Sequence, residues 1–394
     1  MRTPDPRVAR VTRVRRGAAG AVLTGACLLA GCASPGVPAR GASVPAVTSP
    51  LVTSLAGADG VAWSIVTMGG AGQQNGFWEL LARPAASTHW TLVTPPGVAD
   101  NGGLVAAAPA AGQRLDIAVR PSQNLTFSPL ALTSDGGRTW ATGLIDAPVA
   151  SVPDALAAGG GTMLALLSDG TIDQATAPGT SWTPLAAPGA VAGSAAGRSC
   201  RVTGLTGIAL TASGTPLAAA SCARPGVTGI FAFTRSTGTW RQAGPALTGP
   251  LAVRQVQVLR LTATAAGDVA LLQAGTGSTA SLLTASTSDG TRWTVSSPMP
   301  AGPGQIRASG TGPGGTAWVL MSDGRAAAVP GPGAAWRELP RLPSGSAVLA
   351  AGPHDTFDAL ATSGGTLTVF QLTAAGLWVK TQVISVPIQY GSSS

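Results

Sequence analysis

HWTLVTPPG, residues 89–97, is the first of seven similar segments in which a tryptophan precedes a proline. Successive tryptophans of these segments are separated by a mean of 48 residues. A repeat of this length is typical of propeller blades, because each blade is one four-stranded sheet that buries its faces only against its neighbours. The spacing predicts an all-β, seven-bladed β-propeller of four-stranded antiparallel blades over residues 51–390. The tryptophans are Trp90, Trp140, Trp182, Trp240, Trp293, Trp336 and Trp378.

A short apolar segment precedes each of these tryptophans, as in GVAWSIV (60–66), GTMLALL (161–167) and GDVALLQ (267–273). Continuous apolar runs of this length are typical of strands buried on both faces, so we assign them to inner strands of the blades. A third element alternates between apolar and polar residues, as in GTLTVFQL (365–372). Alternation predicts a half-exposed strand nearer the rim.

The composition argues against other classes of protein. The 54 glycines and 31 prolines among 394 residues favour many short strands over helices. Disorder is disfavoured, because 45% of the residues are hydrophobic and ten are tryptophans. The net charge of +8 includes six arginines within the first 16 residues, and the other arginines look dispersed along the chain. We therefore expect no binding of nucleic acid.

The N-terminal segment has the pattern of an export signal. Residues 1–16 are basic, Gly17–Gly31 are apolar, and Leu29-Ala30-Gly31-Cys32 closes the run. These four residues resemble the lipobox of bacterial lipoproteins, which implies a signal peptide over residues 1–31 and a diacylglyceryl group on Cys32. An ordinary signal peptide with an incidental cysteine is the alternative. The adjacent Arg15 and Arg16 leave open whether export is by the Sec or the twin-arginine route.

Lipidation of Cys32 predicts that the protein stays attached to the extracytoplasmic face of the bacterial cell membrane. Residues 32–50, rich in Ala, Pro, Ser and Gly, are expected to form a lipidated flexible tether.

Two cysteines remain for the folded domain, Cys200 and Cys222. The residues between them are expected to form two strands joined by a turn at Ser213-Gly214, which would bring the thiols together across one blade. A disulfide suits an extracytoplasmic compartment, and two buried free thiols are the alternative. The only histidines are His89 and His354, so we expect neither a metal site nor a cofactor.

One segment carries a family resemblance. TSDGGRTW, residues 133–140, resembles the Asp-box, or BNR repeat, of sialidase-like propellers, and residues 287–293 form a looser copy. The resemblance implies a structural turn between the third and outermost strands, away from the ligand-binding face, rather than a catalytic role for the aspartate. The implied structural residues are Thr133, Asp135, Gly137, Thr139 and Trp140.

The resemblance also raises the possibility of a glycosidase. A sialidase needs a tyrosine nucleophile, a carboxylate that activates it and an arginine cluster. The single tyrosine, Tyr390, lies near the C-terminus, and the only glutamates are Glu79 and Glu338. We therefore predict that the chain is not an enzyme and has no catalytic residues, with a glycan-active enzyme of unrecognised active site as the alternative.

Two aspartates are candidates for residues that line the central channel, and three further tryptophans lie outside the repeated set. Asp116 and Asp358 lie in assigned inner strands without a visible partner, so they either line the channel or form hydrogen bonds between blades. Packing is the favoured role of Trp63, Trp78 and Trp318.

A binding surface is expected where the loops between second and third strands emerge beside the connections between blades. The chain is thus predicted to be a monomeric, non-catalytic binding or scaffold module for a protein or glycan of the cell envelope. Solvent-exposed loop tips are the alternative reading of the candidate residues. They are Gln73, Gln74, Asn75, Arg120, Gln123, Asn124 and Arg224.

Overall fold

The computed structural model describes part of the chain, and every described residue belongs to one compact domain, Ser43–Ser394. The predicted signal peptide, Cys32, His354 and Tyr390 lie outside the described residues. The described ranges are 46–47, 52–56, 60–68, 77–95, 104–108, 114–119, 127–146, 154–176, 181–264, 266–302, 304–352 and 356–386.

The strands follow one another as four-stranded antiparallel sheets, which we number as units 1–7 in chain order. A two-residue strand, β1 (Ala46–Val47), precedes them. Unit 1 contains β2 (Val52–Ala56), β3 (Ala62–Met68), β4 (Phe77–Arg83) and β5 (Thr91–Leu92). Unit 2 contains β6 (Leu104–Ala107), β7 (Leu115–Val119), β8 (Phe127–Thr133) and β9 (Ala141–Asp146). Unit 3 contains β10 (Ala155–Gly159), β11 (Thr162–Leu166), β12 (Ile172–Thr176) and β13 (Trp182–Ala186).

Two short helices, α1 (Ala190–Gly193) and α2 (Ala195–Cys200), connect units 3 and 4. Unit 4 contains β14 (Val202–Leu210), β15 (Pro216–Cys222), β16 (Gly229–Thr234) and β17 (Thr239–Gln242). Unit 5 contains β18 (Val256–Thr264), β19 (Gly267–Ala274), β20 (Ser281–Thr287), β21 (Thr294–Val295) and the added β22 (Met299–Pro300). Unit 6 contains β23 (Ile306–Thr311), β24 (Ala317–Met321), β25 (Ala326–Val329) and β26 (Arg337–Leu339). Unit 7 contains β27 (Ser346–Ala351), β28 (Phe357–Ser363), β29 (Thr366–Leu372) and β30 (Trp378–Ser385).

This architecture confirms the prediction of an all-β fold of four-stranded antiparallel sheets. Turns of 3₁₀ helix lie at Gly249–Leu251, Gly277–Thr279 and Pro313–Gly315. In the part of the chain that the structure describes, no helix has the length and apolar character needed to cross a membrane.

The antiparallel order gives each unit two distinct ends. Connections from the second to the third strand, and from one unit to the next, lie at what we call the upper end. Turns from the first to the second strand, and from the third to the fourth, lie at the lower end. The apolar segments that the sequence assigns to inner strands are the second strand of each unit, such as β19, and not the innermost. A second strand has a partner at both edges and a neighbouring unit on both faces, which explains its continuous apolar character.

The chain enters the fold earlier than predicted. Ala46 and Val47, which the sequence assigns to the flexible tether, pair in parallel with Gly204 and Leu205 of β14. β2 pairs in parallel with β23 of unit 6 as well as antiparallel with β3 of its own unit. Pairing with the sheets therefore begins before residue 51.

Apolar clusters fill the space between successive units, and each contains the repeat tryptophan of the later unit. Trp182 of unit 3 packs in the cluster that contains Leu130 and Leu132 of unit 2. Two of the indoles also donate a hydrogen bond to the preceding unit, from Trp293 Nε1 to the carbonyl of Ala243 (2.7 Å) and from Trp378 Nε1 to that of Pro340 (3.2 Å). The repeated tryptophan is thus the residue that joins one sheet to the next.

Units 7 and 1 meet in the same way, with polar contacts added. Trp90 is buried, and its Nε1 donates to Asp358 Oδ2 (2.8 Å). Arg83 Nη1 reaches the same oxygen at 2.9 Å, and its guanidinium lies over the Trp90 ring, 5.4 Å from the centroid. The main chain of Trp90 donates to Gln382 Oε1 (2.9 Å) and accepts from Gln382 Nε2 (2.8 Å). We call Arg83, Trp90, Asp358 and Gln382 the closure cluster.

Asp358→Ala should destabilise the fold strongly, because it leaves the Arg83 guanidinium buried without its carboxylate. Loss of one partner of a buried ion pair costs about 3–5 kcal/mol. The matched control is Asp323→Ala, which removes an exposed pair with Arg325 (2.8 Å) and should cost less than about 1 kcal/mol. Urea denaturation measures both values, and equal losses for the two variants would contradict the role of the closure cluster.

Candidate functional site

A polar cleft of about 250 Å³ lies at the upper end between units 4 and 5. Most of its side chains carry amide or hydroxyl groups, and none of the lining residues is aromatic or acidic. The lining residues are Thr203, Ser221, Cys222, Ala223, Gln255, Val256, Gln257, Gln273, Gly275 and Thr276.

Pairing between the two units fixes the floor of the cleft. The end of β15 pairs with the start of β18, with Ser221 opposite Gln257 and Cys222 opposite Val256. The amide of Gly275 donates to the carbonyl of Gln255 (2.8 Å), which joins the end of β19 to the start of β18. Strand residues therefore form more than half of the lining, and the residues that follow or precede these strands form the rest.

Cys200 and Cys222 are joined by the expected disulfide. The turn between β14 and β15 lies at Ser213-Gly214 as predicted, with Gly214 at a φ of 76°. Cys200 is the last residue of helix α2, and Cys222 is the last residue of β15. Ser194 caps this helix, because its Oγ accepts from the amide of Gly197 (2.9 Å).

The disulfide brings two arginines to the edge of the cleft. The amide of Ala223 donates to the carbonyl of Arg201, and the amide of Arg224 donates to that of Cys200, both at 3.0 Å. A third arginine joins them, since the amide of Gly226 donates to the carbonyl of Arg254 (2.8 Å). We call Arg201, Arg224 and Arg254 the arginine rim.

The arginine rim corrects the view that the arginines outside the leader are dispersed. Residues 174–267 contain seven arginines and no acidic residue, and folding brings three of these arginines around one cleft. A count of charges in this window would have found the basic region. The three cleft glutamines carry no comparable signal, because their convergence depends on how units 4 and 5 pair.

Of the predicted ligand-face residues, Arg224 lies at the edge of the cleft. The remaining six lie outside the described residues. They are Gln73, Gln74, Asn75, Arg120, Gln123 and Asn124.

The two aspartates for which the sequence shows no partner are buried and paired. Asp116 Oδ1 contacts Arg114 Nε at 2.9 Å, and Asp358 belongs to the closure cluster. Burial raises the pKa of both carboxyl groups, while the neighbouring arginines oppose this effect. Trp63 and Trp318 are buried in the core, and Trp78 packs against it.

Residues 133–140 and 287–293, the two segments that resemble the Asp-box, form turns at the lower end, away from the cleft. Asp135 Oδ1 accepts from the amides of Arg138 and Thr139, both at 3.0 Å, and Gly137 has a φ of 87°. Hydrogen bonds, foremost from the Thr139 hydroxyl, lower the pKa of Asp135. Asp289 accepts from the amides of Thr291 and Arg292 in the same way, both at 2.8 Å. Each carboxylate thus stabilises its own turn.

Asp268, at the lower end of β19, was not singled out from the sequence. Its side chain is 3% exposed, and Oδ1 has no hydrogen-bond partner among the described residues. Burial raises its pKa to about 7. The described residues contain no cluster of His, Cys, Asp and Glu suited to a metal ion. Glu338 is exposed, and burial raises the pKa of the half-buried Glu79.

No family model and no curated protein matches the chain. Solved structures do match, among them the periplasmic gluconolactonase of Pseudomonas aeruginosa, with 14% identity, a TM-score of 0.52, and coverage of 83% of this chain and 96% of that one. A GH74 xyloglucanase from Xanthomonas campestris is 15% identical with a TM-score of 0.51; the match covers 84% of this chain and about half (53%) of the xyloglucanase. YCF48 bound to D1 peptide is 14% identical with a TM-score of 0.47, over 85% and 99% of the two chains.

The likenesses to the gluconolactonase and the xyloglucanase show that the chain has a β-propeller fold, as predicted. They also correct the prediction that the chain is not an enzyme. Structures of this fold include a gluconolactonase, a hydrolytic enzyme, and the lack of a sialidase residue set has no bearing on such a reaction. The prediction was wrong because it considered only the residues that a sialidase needs, and other hydrolytic reactions need other residues.

Asp268→Asn should change how stability depends on pH. The pKa of Asp268 is about 7 in the folded chain and near 3.8 when unfolded, so the unfolded chain releases this proton first and stability falls between about pH 4 and pH 7. The variant lacks this titration and should be more stable than the parent at pH 8 by about 2–4 kcal/mol, with little difference at pH 4.

Urea denaturation at several pH values measures this effect. Asp323→Asn is the control, because hydrogen bonds with Arg325 lower the pKa of Asp323, which is opposite to the shift of Asp268. Parallel pH profiles for the parent and Asp268→Asn would refute a buried, protonated Asp268.

Proposed function

We propose that this chain is a lipid-anchored, extracytoplasmic β-propeller that binds a partner protein of the cell envelope. The cleft between units 4 and 5 carries this proposal. It lies at the upper end, where propellers place their binding loops, and its amide and hydroxyl groups converge on one space.

A protein is favoured over a glycan as the partner. Sugars bind well where an aromatic ring offers a flat apolar surface, and the cleft lining contains no aromatic residue. Glutamine amides, by contrast, form the same hydrogen bonds as peptide groups. Three glutamines and three hydroxyl residues in one cleft therefore suit a polypeptide.

The sequence pattern at residues 29–32 supports the anchor. A basic leader and an apolar run of 15 residues precede Cys32, and the acyl chains of a lipidated cysteine satisfy the two-signal requirement for stable attachment. The disulfide between Cys200 and Cys222 agrees with an oxidising compartment outside the cytosol.

Cys32→Ala should abolish membrane attachment, because no thiol remains for the diacylglyceryl group. Cell fractionation should find the variant released or retained as the unprocessed precursor. Cys27→Ala, which changes a cysteine inside the predicted signal peptide, is the matched control and should leave attachment intact. Normal processing and retention of Cys32→Ala would refute the anchor.

A photo-crosslinking amino acid at position 257 should capture the partner in cells, because Gln257 lines the cleft. The same amino acid at position 235 is the control, since Arg235 lies exposed in the lower-end turn of unit 4. After irradiation of the cells with ultraviolet light, gel electrophoresis should reveal adducts of higher mass from position 257 alone. Equal adducts from both positions, or none from either, would argue against the cleft as the binding site.

A further inference from the structure

We infer that the cleft binds an acidic peptide segment of the partner, whose carboxylates the arginine rim holds; this inference rests on the proposed function. Charge supplies the first argument. Residues 174–267, which run from the end of unit 3 through unit 4 to the start of unit 5, carry seven arginines without one aspartate or glutamate, and of the seven only Arg260 is buried. The six arginines that reach the surface make it positively charged, which attracts acidic segments and repels basic ones.

The arginine rim is positioned in advance of binding. Arg224 Nη1 donates to Ser199 Oγ (2.8 Å), and Arg254 Nη1 donates to the carbonyl of Thr279. Neither of these arginines has a carboxylate partner among the described residues. Each guanidinium is therefore held through one nitrogen, while its other N–H donors are available for the two-pronged pairing that carboxylates accept.

Arg201 gives a second, independent indication. It caps the C-terminus of helix α2 with a φ of 57°, and it is the one non-glycine residue with a positive φ in the part of the chain that the structure describes. Glycine is the usual residue at such a helix end, and another side chain there costs conformational energy. Strain of this kind is found where a side chain has a task, and here the side chain is exposed beside the cleft.

The cleft has the dimensions of a site for part of a chain. Its volume of about 250 Å³ is below the range of about 300–1,000 Å³ that holds a drug-sized ligand. One or two side chains of an extended segment fit such a space. Gln257 lies opposite Ser221 in the paired strands and lines the cleft, where its amide can meet the peptide groups between two acidic side chains.

The test uses the full-length, lipidated protein in detergent and a fluorescent decapeptide that alternates glutamate and serine. Arg201→Ala and Arg224→Ala should each weaken binding about tenfold in fluorescence anisotropy, because each removes a charge-assisted pair. Arg235→Ala, an exposed arginine of the same unit at the lower end, is the matched control and should bind normally. Affinity should also fall as salt rises.

Arg201→Gly separates recognition from folding. Glycine relieves the positive φ, so the variant should melt at or above the temperature of the parent and still bind the peptide about tenfold more weakly. A variant that is stable and binds normally would overturn the role of Arg201.

Binding of other ligands tests whether the cleft recognises an acidic peptide and not another class of molecule. Equal affinity for the glutamine–serine decapeptide, or tighter binding of polyglucuronate or of phosphatidylglycerol vesicles than of the acidic peptide, would overturn the inference. Adducts from position 257 in cells without binding of the acidic peptide would leave the proposed function standing and reject this ligand class. If neither adducts from position 257 nor binding of the acidic peptide were found, the proposed function and this ligand class would both be rejected.

Discussion

Packing of each sheet against the next is the interaction on which the rest of this structure depends. A four-stranded sheet with two apolar faces cannot stand alone in water, and here each face finds its cover in a neighbouring unit. The repeated tryptophan supplies much of that contact, since its indole covers a large apolar area and its N–H can reach the neighbouring main chain. Trp293 and Trp378 do so directly.

The last contact of the series differs from the others. Where unit 7 meets unit 1, Trp90 donates to a carboxylate instead of a carbonyl, and Arg83 balances the charge of Asp358. Unit 1 is also joined to unit 6, because β2 pairs with β23. Unit 1 is thus held by polar contacts and strand pairing in addition to apolar packing.

The sequence predicts the repeated parts of the fold and little of the site. A tryptophan every 48 residues or so identifies the sheets, because the same packing problem is solved again in each unit. The disulfide follows from two isolated cysteines. The cleft does not repeat: it depends on the pairing of Ser221 with Gln257 and on the hydrogen bond between Gly226 and Arg254, two contacts between parts of the chain that no periodic signal connects. Asp358 shows the same limit, since its partners Arg83 and Trp90 lie in the first unit, far from it in the sequence.

The hydrogen bonds between Trp90 and Gln382 join residues 292 positions apart. A chain made from its N-terminus delivers Trp90 long before Gln382, so the first sheet must wait with one apolar face uncovered until almost the whole polypeptide has emerged. Synthesis of the chain thereby sets a minimum time for maturation. A truncated or stalled product would expose that face permanently, which gives quality-control proteases a simple mark of incompleteness.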